Sequence, residues 1–393
     1  MTQFIESFAT QQLLPPWEAL GAQTWGFVIR MKRARIRAYL DEYFNGAYPD
    51  RAPFHYTPVP GPQFCLLSAA YFPNVASRNL QTASRLDPSP GASSQAWDHL
   101  KHTEVYLAFP ALRHDLTKDN LIRPDPTLVW VEPFIFSDND SVVFSSREIW
   151  GSDMYLASIA RMVGGPPHQL HIDVGMAGVK TFNPRSMTEL IAVLHMQTGG
   201  ESAATIPDLV AANPELKGFL QILAGSGAFA VGKPFGIGPS PFKGGRELNN
   251  LKQFRDCFNM AAAIYRAIVA SETIHTDIDN IVLFDPAKVE IDFMWSDSIG
   301  DLLTTLLDAT TWTDSGPPKA HAAAAESGPL PGPKPIFVGP PPEQFPQPLG
   351  AIPGAMDWAM NRVSVKAEFG FSFSSNVRFE VTGTIHPYGL RTP

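Results

Sequence analysis

The stretch VYLAFPAL, Val105–Leu112, is an apolar run of the length and composition that favour a β-strand, and two similar runs flank it. FCLLSAAYF covers Phe64–Phe72 and LVWVEPFIF covers Leu128–Phe136. Proline, asparagine and aspartate occur in the segments between the runs, where they favour turns. This spacing predicts an antiparallel sheet rather than alternating strands and helices.

Three further segments extend the β-rich pattern. QLHIDVG, residues 169–175, alternates apolar and polar side chains with the period of a half-buried strand, and KVEIDF, residues 288–293, predicts another strand. VSVKAEFGFSFSSNVRFEV, residues 363–381, has the most regular alternation in the chain. We predict a β-hairpin there, turning at Ser374–Asn376 and docking its apolar side on the rest of the protein or on another subunit.

Helices are predicted at four places. The first covers residues 17–44, and the second lies in NPRSMTELIAVLHM, residues 183–196, where Ser186 and Glu189 have the spacing of a capping box. A strand ending at Arg255 is expected to pass into a helix capped near Asp256. The fourth is SIGDLLTTLLDA, residues 298–309.

Composition excludes several classes of protein. The 393 residues include 30 basic and 38 acidic side chains, and the net charge of −8 argues against a nucleic-acid or anionic-membrane surface. Two cysteines, Cys65 and Cys257, are too few for a disulfide framework. The N-terminal residues lack the order of a signal peptide, and no apolar run is long enough to span a membrane. We therefore expect a cytoplasmic protein that binds a small molecule.

Four regions are predicted from these patterns. Residues 1–52 form an N-terminal helical extension and residues 53–312 form the main domain. Residues 313–355, rich in proline, alanine and glycine, form a linker or an extended arm. Residues 356–393 form the C-terminal hairpin extension.

Two motifs come close to known sites without matching them. GAFAVGKP, residues 227–234, has the glycines and lysine of a phosphate-binding loop, but Pro234 stands where a magnesium-binding hydroxyl is required. His168, His171 and Asp173, and separately His275, Asp277 and Asp279, could contribute to a metal site. Neither grouping has a further ligand set at a telling spacing, so no metal and no cofactor is predicted.

The segment SSREIWGSDMYLA, residues 145–157, resembles the active-site segment of acetoacetate decarboxylases. That family has Arg-Glu, a hydrophobic pair, glycine, an aromatic residue, proline and then Lys-Lys-Leu-Ala. The matching residues are Arg147, Glu148, Ile149, Trp150, Gly151, Leu156 and Ala157. In the strand HTEVYLAFPAL, Glu104 falls where the family has its active-site glutamate. The resemblance covers residues 54–309 and implies an α+β fold, with a curved or closed, predominantly antiparallel sheet around a cavity and helices outside it.

The two lysines of the family are absent. Met154 stands at the position of the Schiff-base lysine and Tyr155 at that of its electrostatic partner. The family's chemistry needs both amines, because one positive charge lowers the pKa of the other amine. A thioether cannot form an imine.

We interpret the chain as a lysine-independent lyase, isomerase or cyclase that acts on a small carbonyl or carboxylate compound by acid–base catalysis. The candidate catalytic residues are Glu104, Glu148 and Tyr155. The candidate binding residues are Arg147, Trp150, Asp153 and Met154.

Two other functions stay open. One is a small-molecule-binding protein without turnover, and the other is an imine-forming enzyme whose lysine has moved to Lys180 or Lys252. A cavity with several convergent ionisable groups would favour an enzyme, whereas a uniformly apolar pocket would favour a binder. The resemblance also implies a homo-oligomer.

Overall fold

The computed structural model of the chain describes residues 15–47, 54–78, 100–162 apart from 118 and 120, 169–178, 188–225, 242–255, 263–294, 311–312 and 362–385. The strands in these ranges are β1 (Trp17–Met31), β2 (Phe54–Pro58), β3 (Gln63–Ser77), β4 (Leu100–Asp115), β5 (Thr127–Ser137), β6 (Met154–Leu156), β7 (Ser158–Met162), β8 (His171–Gly178), β9 (Glu189–Thr198), β10 (Lys243–Arg255), β11 (Ala263–Phe284), β12 (Val289–Met294), β13 (Thr311–Trp312), β14 (Arg362–Ser364) and β15 (Ala367–Ile385). The helices are α1 (Arg33–Leu40), α2 (Asp140–Ser145), α3 (Ile206–Ala212) and α4 (Leu216–Gly225), with π-helical turns at Asp41–Asn45 and Ser146–Trp150 and a 3-10 turn at Pro286–Lys288.

Nine strands form one large sheet in the order β2-β4-β3-β1-β15-β11-β10-β5-β6. The sheet closes on itself because β4, near one end of this order, also pairs with β5 near the other end. All its pairings are antiparallel except those of β5 with β10 and with β6. The predicted fold class, α+β with a closed and predominantly antiparallel sheet, is therefore confirmed.

A second sheet lies against the first. Its order is β13-β14-β12-β9-β8-β7, and the described pairings are antiparallel. Ile172 and Val174 of β8 pack in one apolar cluster with Phe27 and Ile29 of β1. The main core therefore lies between the two sheets, outside the ring of the large sheet.

The inside of the closed sheet holds two smaller apolar clusters. One is closed by α4, whose Phe219 packs on Phe64 and Trp130 with ring centroids 5.6 and 6.1 Å apart. The other contains Trp17 and Trp150, whose rings meet edge-on with centroids 5.4 Å apart. Both clusters contribute side chains to the wall of one cavity.

The helix predicted over residues 17–44 is wrong for its first half. Residues 17–31 form β1, which pairs with both β3 and β15, and only residues 33–40 form an α-helix. Pairing on both sides satisfies the backbone groups of a segment rich in aromatic and β-branched residues, and this outweighs local helix propensity. The predicted N-terminal helical extension is thus, in part, a central strand of the large sheet.

Two other helix predictions are corrected by strand pairing. Residues 189–198 form β9 between β8 and β12, and residues 263–284 form the long strand β11 between β10 and β15. The predicted strand ending at Arg255 is present as β10. In β9, Ile191 and Val193 are fully buried β-branched residues that suit a sheet better than a helix.

The predicted C-terminal hairpin is also wrong. Residues 367–385 form one continuous strand, β15, which lies between β1 and β11. Its Ser375 is opposite Ala22 of β1, and its Asn376 is opposite Thr276 of β11. No turn forms at this point, because β15 is paired on both sides. The irregularities in the pairing lie in the neighbouring strands, as bulges at Ala19–Ala22 and at Thr276–Asp279.

Several predictions fall on residues outside the described ranges. These are the loop GAFAVGKP, the residues His168, Lys180 and Cys257, the capping residue Ser186, the helix at 298–309 and the proline-rich segment 313–355. Within the described ranges, no helix is both long and apolar enough to cross a membrane.

Candidate active site

The cavity inside the large sheet has a volume of about 80 Å³. Its wall is drawn from eight strands and the turn before β6. The lining residues are Trp17, Thr24, Ala70, Phe72, His102, Glu104, Tyr106, Ala108, Trp130, Glu132, Ile135, Ser146, Trp150, Ser152, Met154, Leu248, Asn250, Ser271, Thr273, His275, Val377 and Phe379. This volume suits a few water molecules or a ligand of a few non-hydrogen atoms.

Two carboxylic side chains, Glu104 of β4 and Glu132 of β5, enter the cavity from adjacent strands. The β4–β5 pairing has an irregularity between the pairs Leu107–Phe134 and Phe109–Val131. This bulge shifts the alternation of β5, so that Trp130 and Glu132 face the cavity before it and Ile135 faces the cavity after it. Pro133 follows Glu132 at the bulge, a position that tolerates the loss of a backbone N–H.

The two glutamates have different surroundings. Burial, and then repulsion from the nearby charge of Glu104, raises the pKa of Glu132 to about 8. Glu104 is partnered by His102, whose Nε2 lies 3.1 Å from Glu104 Oε1 and whose side chain is 2% exposed. At neutral pH the cavity therefore holds the neutral carboxylic acid of Glu132 beside Glu104, which is hydrogen-bonded to His102.

Three buried polar atoms on the cavity wall have no hydrogen-bond partner within the described part of the chain. They are Thr24 Oγ1, His102 Nδ1 and Trp150 Nε1. Leaving such an atom unpaired costs about 1–3 kcal/mol. A bound water or ligand hydroxyl can accept from the Trp150 N–H and donate to His102 Nδ1, which would recover part of this cost, and the wall is therefore suited to a polar ligand.

His275 and Asn250 complete the polar part of the wall. His275 Nδ1 lies 2.9 Å from Ser375 Oγ, and burial lowers the pKa of His275 to about 4. Asn250 Nδ2 donates to Ser152 Oγ over 3.2 Å. His275 is therefore neutral at physiological pH and adds no positive charge to the cavity.

No lysine or arginine is among the described residues that line the cavity. The carboxyl groups of Glu104 and Glu132 and the neutral ring of His275 consequently face the cavity with no lysine or arginine among the described lining residues. Such a wall disfavours an anionic ligand and suits an uncharged one.

Three of the predicted site residues line the cavity: Glu104, Trp150 and Met154. Met154 is 3% exposed and belongs to the same apolar cluster as Trp150. The thioether of Met154 is thus among the cavity residues.

Arg147 and Glu148, predicted to take part in the site, are exposed residues on the far side of the π-helical turn Ser146–Trp150. Ser146 and Trp150, four residues apart, occupy the side of that turn that faces the cavity. Residues between them point away from the cavity, so Arg147 and Glu148 are not among its lining residues.

Asp153 and Tyr155, also predicted, lie on the side of β6 opposite to Met154, because adjacent residues of a strand point to opposite faces. The ring of Tyr155 packs on Phe136 with centroids 6.0 Å apart, and Tyr43 donates to Asp153 Oδ2 over 3.4 Å. Burial and the neighbouring carboxylate raise the pKa of Tyr155 to about 12. These residues form a separate polar group in the outer core and do not contact the cavity.

Lys252, a candidate for a relocated nucleophile, is near the cavity but does not line it. Its Nζ donates to the carbonyl oxygen of Glu148, and burial lowers its pKa. The neighbouring Gly151 has φ of +67°, and a Cβ there would lie 2.6 Å from Lys252 Cβ. The close contact fixes β10 against the turn, and the hydrogen bond holds the amine at the Glu148 carbonyl, outside the cavity lining.

The two histidine–aspartate groupings considered in the sequence are arranged differently in the structure. Asp277 and Asp279 are exposed, whereas His275 is turned into the cavity, so this trio does not converge. His171 and Asp173 do lie together, and His195 of β9 joins them. His195 was not predicted, because it is distant in sequence and meets Asp173 only through strand pairing.

Sequence reasoning also missed Glu132 and His102, and it considered His275 only as a metal ligand. A signal for Glu132 is present, since it is the one charged residue in the run LVWVEPFIF. A carboxyl group in a buried apolar strand costs free energy and marks a candidate functional group. His102 could have been found from its position two residues before Glu104, on the same side of β4.

Comparison with known proteins gives likenesses of structure only. No family model matches the chain, and no curated protein matches it. Among solved structures, it is similar to acetoacetate decarboxylase from Legionella pneumophila (TM-score 0.46, 9% identity, covering 95% of this chain and 88% of that chain). It is also similar to the enduracididine biosynthesis enzyme MppR (0.43, 12%, covering 98% and 92%) and to a second acetoacetate decarboxylase structure (0.41, 8%, covering 96% and 92%). At these identities the likeness concerns the course of the backbone, not the side chains of the cavity.

Proposed function

We propose that the protein is a lysine-independent acid–base catalyst that moves a proton on the carbon next to the carbonyl group of a small, uncharged compound. The observation that carries this proposal is the pairing of Glu132, with its raised pKa, and Glu104 in one enclosed cavity. Two carboxyl groups held in different protonation states can serve as acid and base in the same step.

In the proposed step, the Glu132 carboxylic acid donates a hydrogen bond to the carbonyl oxygen and Glu104 removes a proton from the adjacent carbon. The C–H electrons form the new C=C bond, the carbonyl π electrons move to oxygen, and the proton of Glu132 neutralises that oxygen as it becomes an enol. The Nε2–H of His102 stabilises the Glu104 carboxylate before the transfer. Isomerisation and carbon–carbon cleavage of an uncharged carbonyl compound share such an enol, so the class of reaction stays open between these.

The ligand class follows from size and charge. A volume of about 80 Å³ admits only a compact molecule. A carboxylate substrate would be repelled by the Glu104 charge, and no lysine or arginine among the described lining residues offsets this repulsion. The indole N–H of Trp150 and the hydroxyl of Thr24 supply further hydrogen-bonding groups for a ligand oxygen.

Imine chemistry has no support at this cavity. Met154 offers a thioether, and the amine of Lys252 is engaged by the carbonyl of Glu148. A binding protein without turnover is the remaining alternative, since the unpaired polar atoms would suit a bound ligand whether or not it reacts.

The test is hydrogen–deuterium exchange at carbon. Acetone and hydroxyacetone are incubated with the protein in D₂O and followed by proton NMR, with acetoacetate as an anionic comparison. We expect exchange with the uncharged ketones, and a loss of at least about 100-fold in Glu104→Gln and in Glu132→Gln. Glu42→Gln, at an exposed position of the turn after α1, is the control and should leave the rate unchanged.

Each other outcome has a definite meaning. Saturable binding of the ketones without exchange would assign the cavity to a binding protein and overturn the catalytic proposal. Exchange that survives in both cavity variants would place the chemistry elsewhere. If the protein neither binds the uncharged ketones nor exchanges their protons, the proposed ligand class is overturned.

A further inference from the structure

A second group of ionisable side chains lies on the six-stranded sheet. His171 and Asp173 are two residues apart on β8, and His195 is directly opposite Asp173 on β9. Residues i and i+2 of a strand share a face with the residue opposite, so all three side chains project from the same side of the sheet. Ile172 and Val174, on the other side, are fully buried in the core.

The three side chains converge on one point. Asp173 Oδ1 lies 2.7 Å from His195 Nδ1, and Asp173 Oδ2 lies 3.0 Å from His171 Nε2. Ligand atoms of all three residues lie within 4.8 Å of one another. The two imidazole rings meet nearly at right angles, at 79° with centroids 4.9 Å apart, so each directs a nitrogen towards the carboxylate.

We propose that His171, Asp173 and His195 bind a divalent transition-metal ion, with Zn²⁺ as the representative ion. Two imidazole nitrogens and one carboxylate oxygen form a ligand set typical of zinc and of other first-row metals. The side chains are 30%, 21% and 15% exposed, which leaves room for an ion to enter and for water to complete the coordination.

Binding requires a rearrangement of protons. In the geometry described above, both facing nitrogens donate to Asp173. A metal ion needs a lone pair from each nitrogen, so these two protons must leave to solvent or pass to the other nitrogen of each ring. The ion then takes the place of the two protons between the imidazoles and the carboxylate.

The neighbouring positions favour a cation. Asp292 of β12 is directly opposite His195, and Glu290 is opposite Gln197, which itself is opposite His171. Ser364 donates to Asp292 Oδ1 over 2.5 Å. Arg161 projects from the other side of the sheet, where its guanidinium lies 3.5 Å from the centre of the Tyr71 ring. The described positions paired with the three ligands, or one strand further along, thus add carboxyl groups and no lysine or arginine.

The chain contains a matched comparison pair. His55 of β2 and His114 of β4 are directly opposite each other, as Asp173 and His195 are, but no carboxylate of the described residues completes a three-ligand group with them. His114 Nε2 lies 3.1 Å from Thr57 Oγ1 instead. Two facing histidines on a sheet are therefore present without the third ligand. They provide a control for adventitious binding to surface imidazole.

The experiment is metal titration of the full-length protein. Co²⁺ is followed by its visible absorption, and Zn²⁺ by calorimetry and by competition with Co²⁺. We expect one ion per chain in the wild type and a loss of affinity of at least about 100-fold in His195→Gln and in Asp173→Asn. The double variant His55→Gln, His114→Gln should bind as the wild type does.

Circular dichroism and thermal unfolding without metal check that each variant is folded. If His195→Gln does not fold, His171→Gln replaces it as the ligand variant. The absence of binding by the folded wild type overturns the proposal, as does a site lost only with His55 and His114. Unchanged affinity in folded His171→Gln, His195→Gln and Asp173→Asn also contradicts it. The outcome is independent of the cavity chemistry, because none of the three residues lines the cavity.

Discussion

Two groups of histidines and carboxylic side chains occupy different surroundings in this protein. In the closed sheet, burial and the charge of Glu104 raise the pKa of Glu132 to about 8. On the six-stranded sheet, hydrogen bonds from His195 and His171 outweigh partial burial and lower the pKa of Asp173. Similar functional groups are thus prepared for different tasks: the enclosed pair for moving a proton, and the half-exposed trio for holding a charge.

The largest expected effect that tests this comparison is on the pH dependence of stability. Because the pKa of Glu132 is higher in the folded chain than in the unfolded one, the wild type should lose stability as pH rises from about 4.5 to about 8. Glu132→Gln lacks this loss and should be the more stable protein at pH 9, by on the order of 4 kcal/mol. Chemical denaturation of both proteins at pH 4, 6, 7.5 and 9 measures the difference.

His275 supplies the internal check. Burial lowers its pKa to about 4, so it removes stability as pH falls from about 6.5 to about 4. This contribution is common to the wild type and the variant and cancels in their difference. A difference that does not grow between pH 6 and pH 9 would contradict the raised pKa of Glu132.

The next prediction perturbs the structure beside the cavity and leaves the His171–Asp173–His195 group unchanged. Gly151→Ala should destabilise the protein by about 3 kcal/mol, because the new Cβ would lie 2.6 Å from Lys252 Cβ in a left-handed backbone conformation. Cavity-dependent proton exchange should fall with it, while Co²⁺ binding by the folded fraction should persist. Denaturant titration, the exchange assay and Co²⁺ absorption measure the three quantities.

Gly218→Ala is the matched control. Gly218 lies in α4 with no atom within 4 Å of the position of a new Cβ, so alanine should stabilise the helix by roughly 0.5–1 kcal/mol. Equal destabilisation by both substitutions would mean that the contact between Gly151 and Lys252 is not the cause.

A smaller effect is expected on the six-stranded sheet. In metal-free buffer at pH 7.5, Asp173→Asn should destabilise the chain by at most about 1 kcal/mol, because its hydrogen-bonded pairs are partly exposed to water. The sign is opposite to that of Glu132→Gln. Stabilisation by Asp173→Asn under these conditions would remove the contrast between the two groups.

The smallest expected effect is none. Incubation with acetoacetate and borohydride should give no stoichiometric mass adduct, because Met154 cannot form an imine and Lys252 is directed to the Glu148 carbonyl. Intact-protein mass spectrometry followed by peptide mapping measures this. An adduct on Lys252, or on Lys180 outside the described ranges, would restore the imine-forming alternative.

Local patterns predicted the strands that alternate clearly or consist of short apolar runs, such as β3, β4, β5 and β8. They failed for β1, β9 and β11, whose conformation depends on partners distant in the chain. The Ser374–Asn376 segment has the composition of a turn, yet it continues as strand because β1 and β11 pair with it on both sides. Such pairing is a tertiary effect that local propensity does not contain.

For the candidate site, too, the local sequence predicts only part of the arrangement. The segment around Arg147 located the cavity wall, but strand alternation and the helical turn decide which of its residues face inward, and this selects Met154 and Trp150 over Tyr155 and Arg147. Glu132 faces inward because of a bulge between β4 and β5. The position of that bulge is set by the pairing of the two strands, and Pro133 is its only local mark.

The most direct measurement is the titration of Glu132 itself. The protein is labelled with ¹³C at the glutamate side-chain carboxyl, and the resonance lost in Glu132→Gln is followed by NMR from pH 4 to pH 10. A midpoint near 8, falling towards the ordinary glutamate value in Glu104→Gln, is the result we predict, because removing the neighbouring charge removes part of the shift. A midpoint near 4.5 would show that Glu132 is ionised at neutral pH and would contradict the proposed acid–base pair.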